Sequence, residues 1–134
     1  MNRRTLFATG VTLAVLAALV GGPRAGAQPM NNACCTFTIA ANNTIPANCF
    51  PFNVKTVWAG VGQTNSIPGT GQNQFQINGC PPVPATLDAI TINGTTVTPG
   101  SPGNITLACG VCVFVHCTYD TNGCIIIHLS TCPP

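Results

Sequence analysis

Nine cysteines constrain this chain more than any other feature, because all of them lie between Cys34 and Cys132. This density is typical of small exported domains that are held together by disulfides. An odd count means that at least one cysteine stays free or bonds to another molecule. The spacing leaves the connectivity open. The disulfide candidates are Cys34, Cys35, Cys49, Cys80, Cys109, Cys112, Cys117, Cys124 and Cys132.

A zinc site is the competing interpretation of the Cys-x-x-Cys pair formed by Cys109 and Cys112. A structural zinc site needs two further ligands at suitable spacing, and no second Cys-x-x-Cys follows in the sequence. We therefore expect disulfides, and we expect no metal or other cofactor.

The first 27 residues have the pattern of a secretory signal. Arg3 and Arg4 precede an apolar stretch over residues 6–20, and Ala25, Gly26 and Ala27 form a small-residue cleavage site. We expect residues 28–134 to form one domain in an extracellular or cell-surface location. No later apolar run approaches the length that spans a bilayer, so no membrane span is expected after cleavage.

The predicted mature chain is almost without charge, since it keeps only Lys55, Asp88 and Asp120. Three charged side chains cannot neutralise a row of phosphates, which excludes nucleic-acid binding. Glycosidase chemistry usually needs two carboxylates, but Asp120 is already accounted for as a turn residue and Asp88 begins a hairpin. We therefore expect the protein not to be an enzyme.

Short alternating runs between turn residues indicate an all-β fold. The pattern predicts a disulfide-stapled two-sheet, immunoglobulin-like sandwich of about seven or eight short strands. Residues 60–73, 80–86 and 99–103 are rich in glycine, proline, serine or asparagine and are expected to be connections. The predicted strands cover residues 34–40, 50–59, 74–78, 87–93, 95–98, 105–109, 111–120 and 124–132.

The last hairpin has the most specific pattern. Asp120 to Gly123 fits a turn in which Gly123 is left-handed, and this turn sets the pairing of the two strands. The same register places the apolar residues on one face, which is therefore predicted to be core. It also places Cys112 opposite Cys132 in a hydrogen-bonded pair, whose wide spacing suits a disulfide less well.

His116 and His128 lie directly opposite each other in that register, on the outer face. Two imidazoles at this separation could share a metal ion or act as a pH switch. No carboxylate lies beside them, so the simpler interpretation is two surface histidines. Asn42, Asn93 and Asn104 match the glycosylation pattern. Asn93 and Gly94 also predict a two-residue hairpin turn, which places Ile92 opposite Thr95.

We expect the chain to be a secreted structural subunit of an extracellular fibre or surface layer, with itself as partner. Residues 28–40 contain alternating Cys35, Phe37 and Ile39 and could be donated to a neighbour's sheet. The alternative for this segment is an ordinary first strand of its own sandwich. The alternative function is a secreted binding or adhesion module, which contacts a carbohydrate or protein ligand through residues 60–73.

Overall fold

The computed structural model describes residues 34–79 and 86–133, which form nine strands in two packed sheets. The five-stranded sheet has the order β4-β1-β9-β8-β7, and the four-stranded sheet has the order β3-β2-β5-β6. This arrangement confirms the predicted disulfide-stapled two-sheet sandwich. The strands are β1 (Thr36–Ala41), β2 (Phe52–Trp58), β3 (Val61–Ile67), β4 (Gly71–Gln76), β5 (Leu87–Ile92), β6 (Thr95–Val97), β7 (Gly103–Thr106), β8 (Cys112–Tyr119) and β9 (Ile125–Thr131).

The core lies between the sheets and is centred on aromatic contacts. Phe37 of β1 packs against Trp58 of β2 across the sandwich, with ring centroids 4.9 Å apart. Trp58 Nε1 donates a hydrogen bond of 2.8 Å to the buried Thr56 Oγ1, so neither polar group loses a partner on burial. Phe52, Val54, Thr56 and Trp58 share the buried face of β2.

Two predicted hairpin registers are confirmed. Asn93 and Gly94 both have positive φ in the β5–β6 turn, and Ile92 pairs with Thr95. In the β8–β9 turn, Gly123 is left-handed and Asp120 Oδ1 accepts bonds from the backbone N–H groups of Asn122 and Cys124. The residues of the last hairpin that are buried as predicted are Val113, Val115, Ile125, Ile127 and Leu129.

The prediction of a connection over residues 60–73 is wrong, since β3 and the start of β4 occupy this range. Ala59 and Gly60 both have positive φ and form a two-residue hairpin turn between β2 and β3. This turn was not apparent from the sequence, because alanine rarely adopts a positive φ. β3 is also an edge strand, and only Gln63 and Ile67 of its seven residues are buried.

β1 lies inside its own sheet, where it pairs antiparallel with β4 and parallel with β9. Phe37 and Ile39 are 1% and 0% exposed, respectively. This placement corresponds to the ordinary first strand that we weighed against strand donation.

Some predictions lie outside the described residues. These are the signal at residues 1–27, the start of the domain at residues 28–33 and Cys80 as a disulfide candidate. Within the part of the chain that the structure describes, no helix has the length and apolar character needed to cross a membrane.

Candidate functional site

Disulfides hold both ends of the sandwich. The bond between Cys34 and Cys124 ties the start of β1 to the turn before β9. A second bond joins Cys49 to Cys109, and Cys35 is also disulfide-bonded. The widespread disulfide bonding agrees with the expectation from the cysteine count.

The expected poor fit of Cys112 and Cys132 is wrong, because these residues form a disulfide. They are a hydrogen-bonded pair, as the register predicted, and Cys132 N–H donates to Cys112 O at 3.0 Å. Their Cα atoms are 5.5 Å apart, which lies within the range of protein disulfides. The bond closes the open end of the hairpin formed by β8 and β9.

Cys117 is the free cysteine among the described residues. Its side chain is half-buried on the core side of β8, and burial raises the pKa of its thiol to about 11. A thiol with so high a pKa has little thiolate at neutral pH and is a poor nucleophile or metal ligand. Cys117 therefore lies in a position that limits its reactivity.

The histidine pair lies on the outer face of the five-stranded sheet, as predicted. His116 pairs with His128 across β8 and β9, and their rings are stacked with centroids 4.8 Å apart and planes tilted by 14°. The ring of Phe114 lies 5.4 Å from that of His116 on its own strand. Both histidines are half-buried, so they are less accessible than the surface residues we expected.

The polar atoms of the pair have unequal environments. His116 Nδ1 is buried without a hydrogen-bond partner, whereas His128 Nε2 lies 2.7 Å from Thr118 Oγ1. Burial and the neighbouring charge of His116 both lower the pKa of His128. His128 therefore favours its uncharged form at neutral pH.

A groove of about 290 Å³ runs beside the pair towards the sheet edge. Ala40 and Gln72 line it because they share a cross-strand row with His128. The groove combines small side chains with amide and imidazole groups. This set can accept and donate hydrogen bonds to a polar ligand without attracting a charged one.

No group of three or more histidine, cysteine, aspartate or glutamate side chains is placed to hold a metal ion in residues 34–79 and 86–133. The two aspartates support turns. Asp88 Oδ2 accepts a 2.8 Å bond from Gly60 N–H, and Asp120 organises the β8–β9 turn.

The three glycosylation candidates are all exposed. Asn42 Oδ1 accepts a bond from Thr44 N–H, and Asn93 Nδ2 donates to Thr106 O at 2.8 Å. Asn104 lies on edge strand β7. Their modification stays a prediction.

A buried glutamine that the sequence analysis missed joins β3 to the end of β4. Gln63 is 7% exposed; its Nε2 donates to Gln76 O, and its Oε1 accepts from Asn78 N–H. Val61 and Ile67 lie at even spacing from Gln63 on β3, and this spacing of apolar residues was the available sequence signal of a strand.

Comparisons with protein-family models, with curated proteins and with solved structures found no match.

Proposed function

We propose that this protein is a secreted structural subunit that assembles with copies of itself into an extracellular fibre or surface layer. The proposal is carried by one side of the sandwich, where the edge strands β3 and β4 lie together and Gln63 of β3 bonds to Gln76 of β4. A sheet edge carries main-chain donors and acceptors that can pair with another chain, and proteins usually block such edges with charge or proline. Neither type of residue occurs within β3 or β4.

The opposite side of the sandwich is better protected. Its edge strands β6 and β7 have three and four residues, whereas β3 and β4 have seven and six. Asn93 Nδ2 also donates to Thr106 O and so occupies part of the β7 edge. Short edge strands are one means by which proteins limit edge pairing.

The outer face of the five-stranded sheet supports a second direction of contact. None of its five strands contains aspartate, glutamate, lysine or arginine. Half-buried Phe114 and Ile126 supply apolar area near the histidine pair. Contacts through an edge extend a sheet in its own plane, and contacts through a face stack sheets, so a subunit with both can build a fibre or a layer.

The route of assembly differs from the expected donation of residues 28–40. Within the chain, β1 is paired on both sides, and the Cys34–Cys124 disulfide fastens its start to the segment before β9. Giving Phe37 and Ile39 to a neighbour would require that bond to open or to form between subunits. Pairing through edges that are already free needs no such rearrangement.

The test is to examine the secreted protein, with its disulfides formed, by sedimentation and by electron microscopy over a range of concentrations. We expect ordered assemblies that persist in high salt, because no salt bridge holds them together. A protein that stays monomeric at the highest concentration would overturn the proposal.

The groove beside His128 favours the alternative, a binding or adhesion module. Its amide and imidazole groups suit a neutral polar ligand such as a carbohydrate. In that case, the protein would stay monomeric, and replacing His116 and His128 by alanine would abolish its ligand binding.

A further inference from the structure

The hydrogen-bond pattern of β4 determines which of its main-chain groups are free for a partner. Ile77 N–H donates to Cys35 O at 2.7 Å, and Phe75 pairs with Phe37 in the same register. In an antiparallel ladder the hydrogen-bonded positions alternate, so Phe75 and Asn73 direct their main-chain groups towards β1. Gln72, Gln74 and Gln76 therefore direct theirs away from the sheet.

These three glutamines form a self-complementary edge. Their side chains are exposed and share the outer face of the sheet. Gln76 O already accepts a bond from Gln63 Nε2, but a carbonyl oxygen has a second lone pair. The row is symmetric about Gln74, which is the requirement for pairing with an identical row in the opposite direction.

The geometry points to a second copy of this chain as the partner of β4, paired antiparallel about a two-fold axis at Gln74. This inference rests on the proposed function and specifies its first contact. Gln74 of each copy exchanges both main-chain hydrogen bonds with Gln74 of the other, and Gln72 exchanges them with Gln76. The five-stranded sheets of the two copies then become continuous, with glutamine side chains in a ladder along one face.

Charge favours β4 over β3 for this contact. Lys55 of β2 pairs with Thr64 at the centre of β3. Its side chain extends over Gly62 of β3, so close that a Cβ atom on Gly62 would lie 3.0 Å from Lys55 Cε. A two-fold contact along β3 would bring two such ammonium groups towards each other, and lysine beside an edge is a common protection against pairing. β4, β1 and β9 contain no ionised side chain that would repel its own copy.

Disulfide trapping tests the axis directly. Gln74→Cys, in a chain that also carries Cys117→Ser, should give a covalent dimer on mild oxidation. The reason is that the Cα atoms of a hydrogen-bonded antiparallel pair are about 5.5 Å apart, within disulfide range. The matched control is Thr64→Cys in the same background, at the exposed centre of the other edge, and it should stay uncross-linked.

A second variant separates the interface from the fold. Gln74→Pro removes an N–H that the monomer does not use, so the protein should fold but its dimer dissociation constant should rise at least about tenfold. An unchanged constant in the folded variant would overturn the two-fold contact, as would cross-linking at residue 64 but not at residue 74. If the wild type assembles in either case, the proposed function survives; if the wild type never assembles, both proposals fail.

Discussion

His116 and His128 stack against each other across β8 and β9, with ring centroids 4.8 Å apart, on a sheet face that carries no ionised side chain. The ring of Phe114 lies 5.4 Å from that of His116, and the buried Nδ1 of His116 has no hydrogen-bond partner. A proton on His128 meets a partly desolvated site beside a second imidazole. The stability of the fold therefore depends on pH through His128.

We predict that the protein loses stability as the pH falls through the range of histidine titration. Burial and the charge of His116 hold the pKa of His128 below its ordinary value of 6.5, so the unfolded chain binds the proton more tightly. The contribution of His128 is fully present above about pH 6.5 and declines below it, until the pH passes the lowered pKa of the folded state. Thermal unfolding between about pH 7.5 and pH 5 measures the change.

Two glutamine variants control this experiment. His128→Gln should flatten the dependence, because it removes the group whose pKa shifts. His116→Gln should retain part of it, since burial of His128 remains when the neighbouring charge is gone. An equally steep dependence in the His128→Gln variant would contradict the prediction.

Adjacent isoleucines on β9 provide a matched test of the sheet register. Ile127 is 0% exposed in the core, whereas Ile126 is half-buried on the outer face. Ile127→Ala should reduce the free energy of unfolding by about 2–5 kcal/mol, because it leaves a cavity. Ile126→Ala should reduce it by only about 1 kcal/mol. Urea unfolding of both variants measures the difference, and equal losses would mean that the wrong face was assigned to the core.

The sequence was most informative where turn chemistry and side-chain alternation agreed. Asp120, Gly123 and the alternating residues of β8 and β9 predicted one register, and that register placed His116 opposite His128 as observed. The Asn93–Gly94 turn likewise predicted the observed register of β5 and β6. In both hairpins, local backbone requirements and burial each specify the same pairing.

Edge strands and non-local pairing were harder to predict. β3 buries only Gln63 and Ile67, so it lacks the apolar alternation of a strand packed on a core. Ala59 occupies a turn position for which asparagine or glycine is the usual signal. The disulfides Cys34–Cys124 and Cys49–Cys109 join residues that are 90 and 60 positions apart in the chain. Local sequence patterns do not predict contacts over such separations.

We predict that the Cys34–Cys124 disulfide makes a large contribution to stability. It links the start of β1, the first strand along the chain, to the turn before β9, the last strand. Replacing a native disulfide in a small domain typically costs about 2–5 kcal/mol. The double variant Cys34→Ala, Cys124→Ala should show this loss in urea unfolding. Cys117→Ala, which removes a free thiol, is the control and should lose much less. Equal losses in the two variants would show that the disulfide adds nothing beyond side-chain packing.

Cys117 should react slowly with alkylating reagents in the folded protein, although it is a free thiol. Its sulfur is half-buried on the core side of β8, and burial raises its pKa to about 11, so the reactive thiolate is scarce near neutral pH. Intact mass after iodoacetamide treatment should show little modification of the native protein, and one alkyl group per chain once denaturant is added without a reductant. For the same reason, wild-type assemblies should dissociate to monomers on non-reducing denaturing gels. Rapid native labelling, or a covalent wild-type dimer that disappears in Cys117→Ser, would show instead that this thiol is accessible and links subunits.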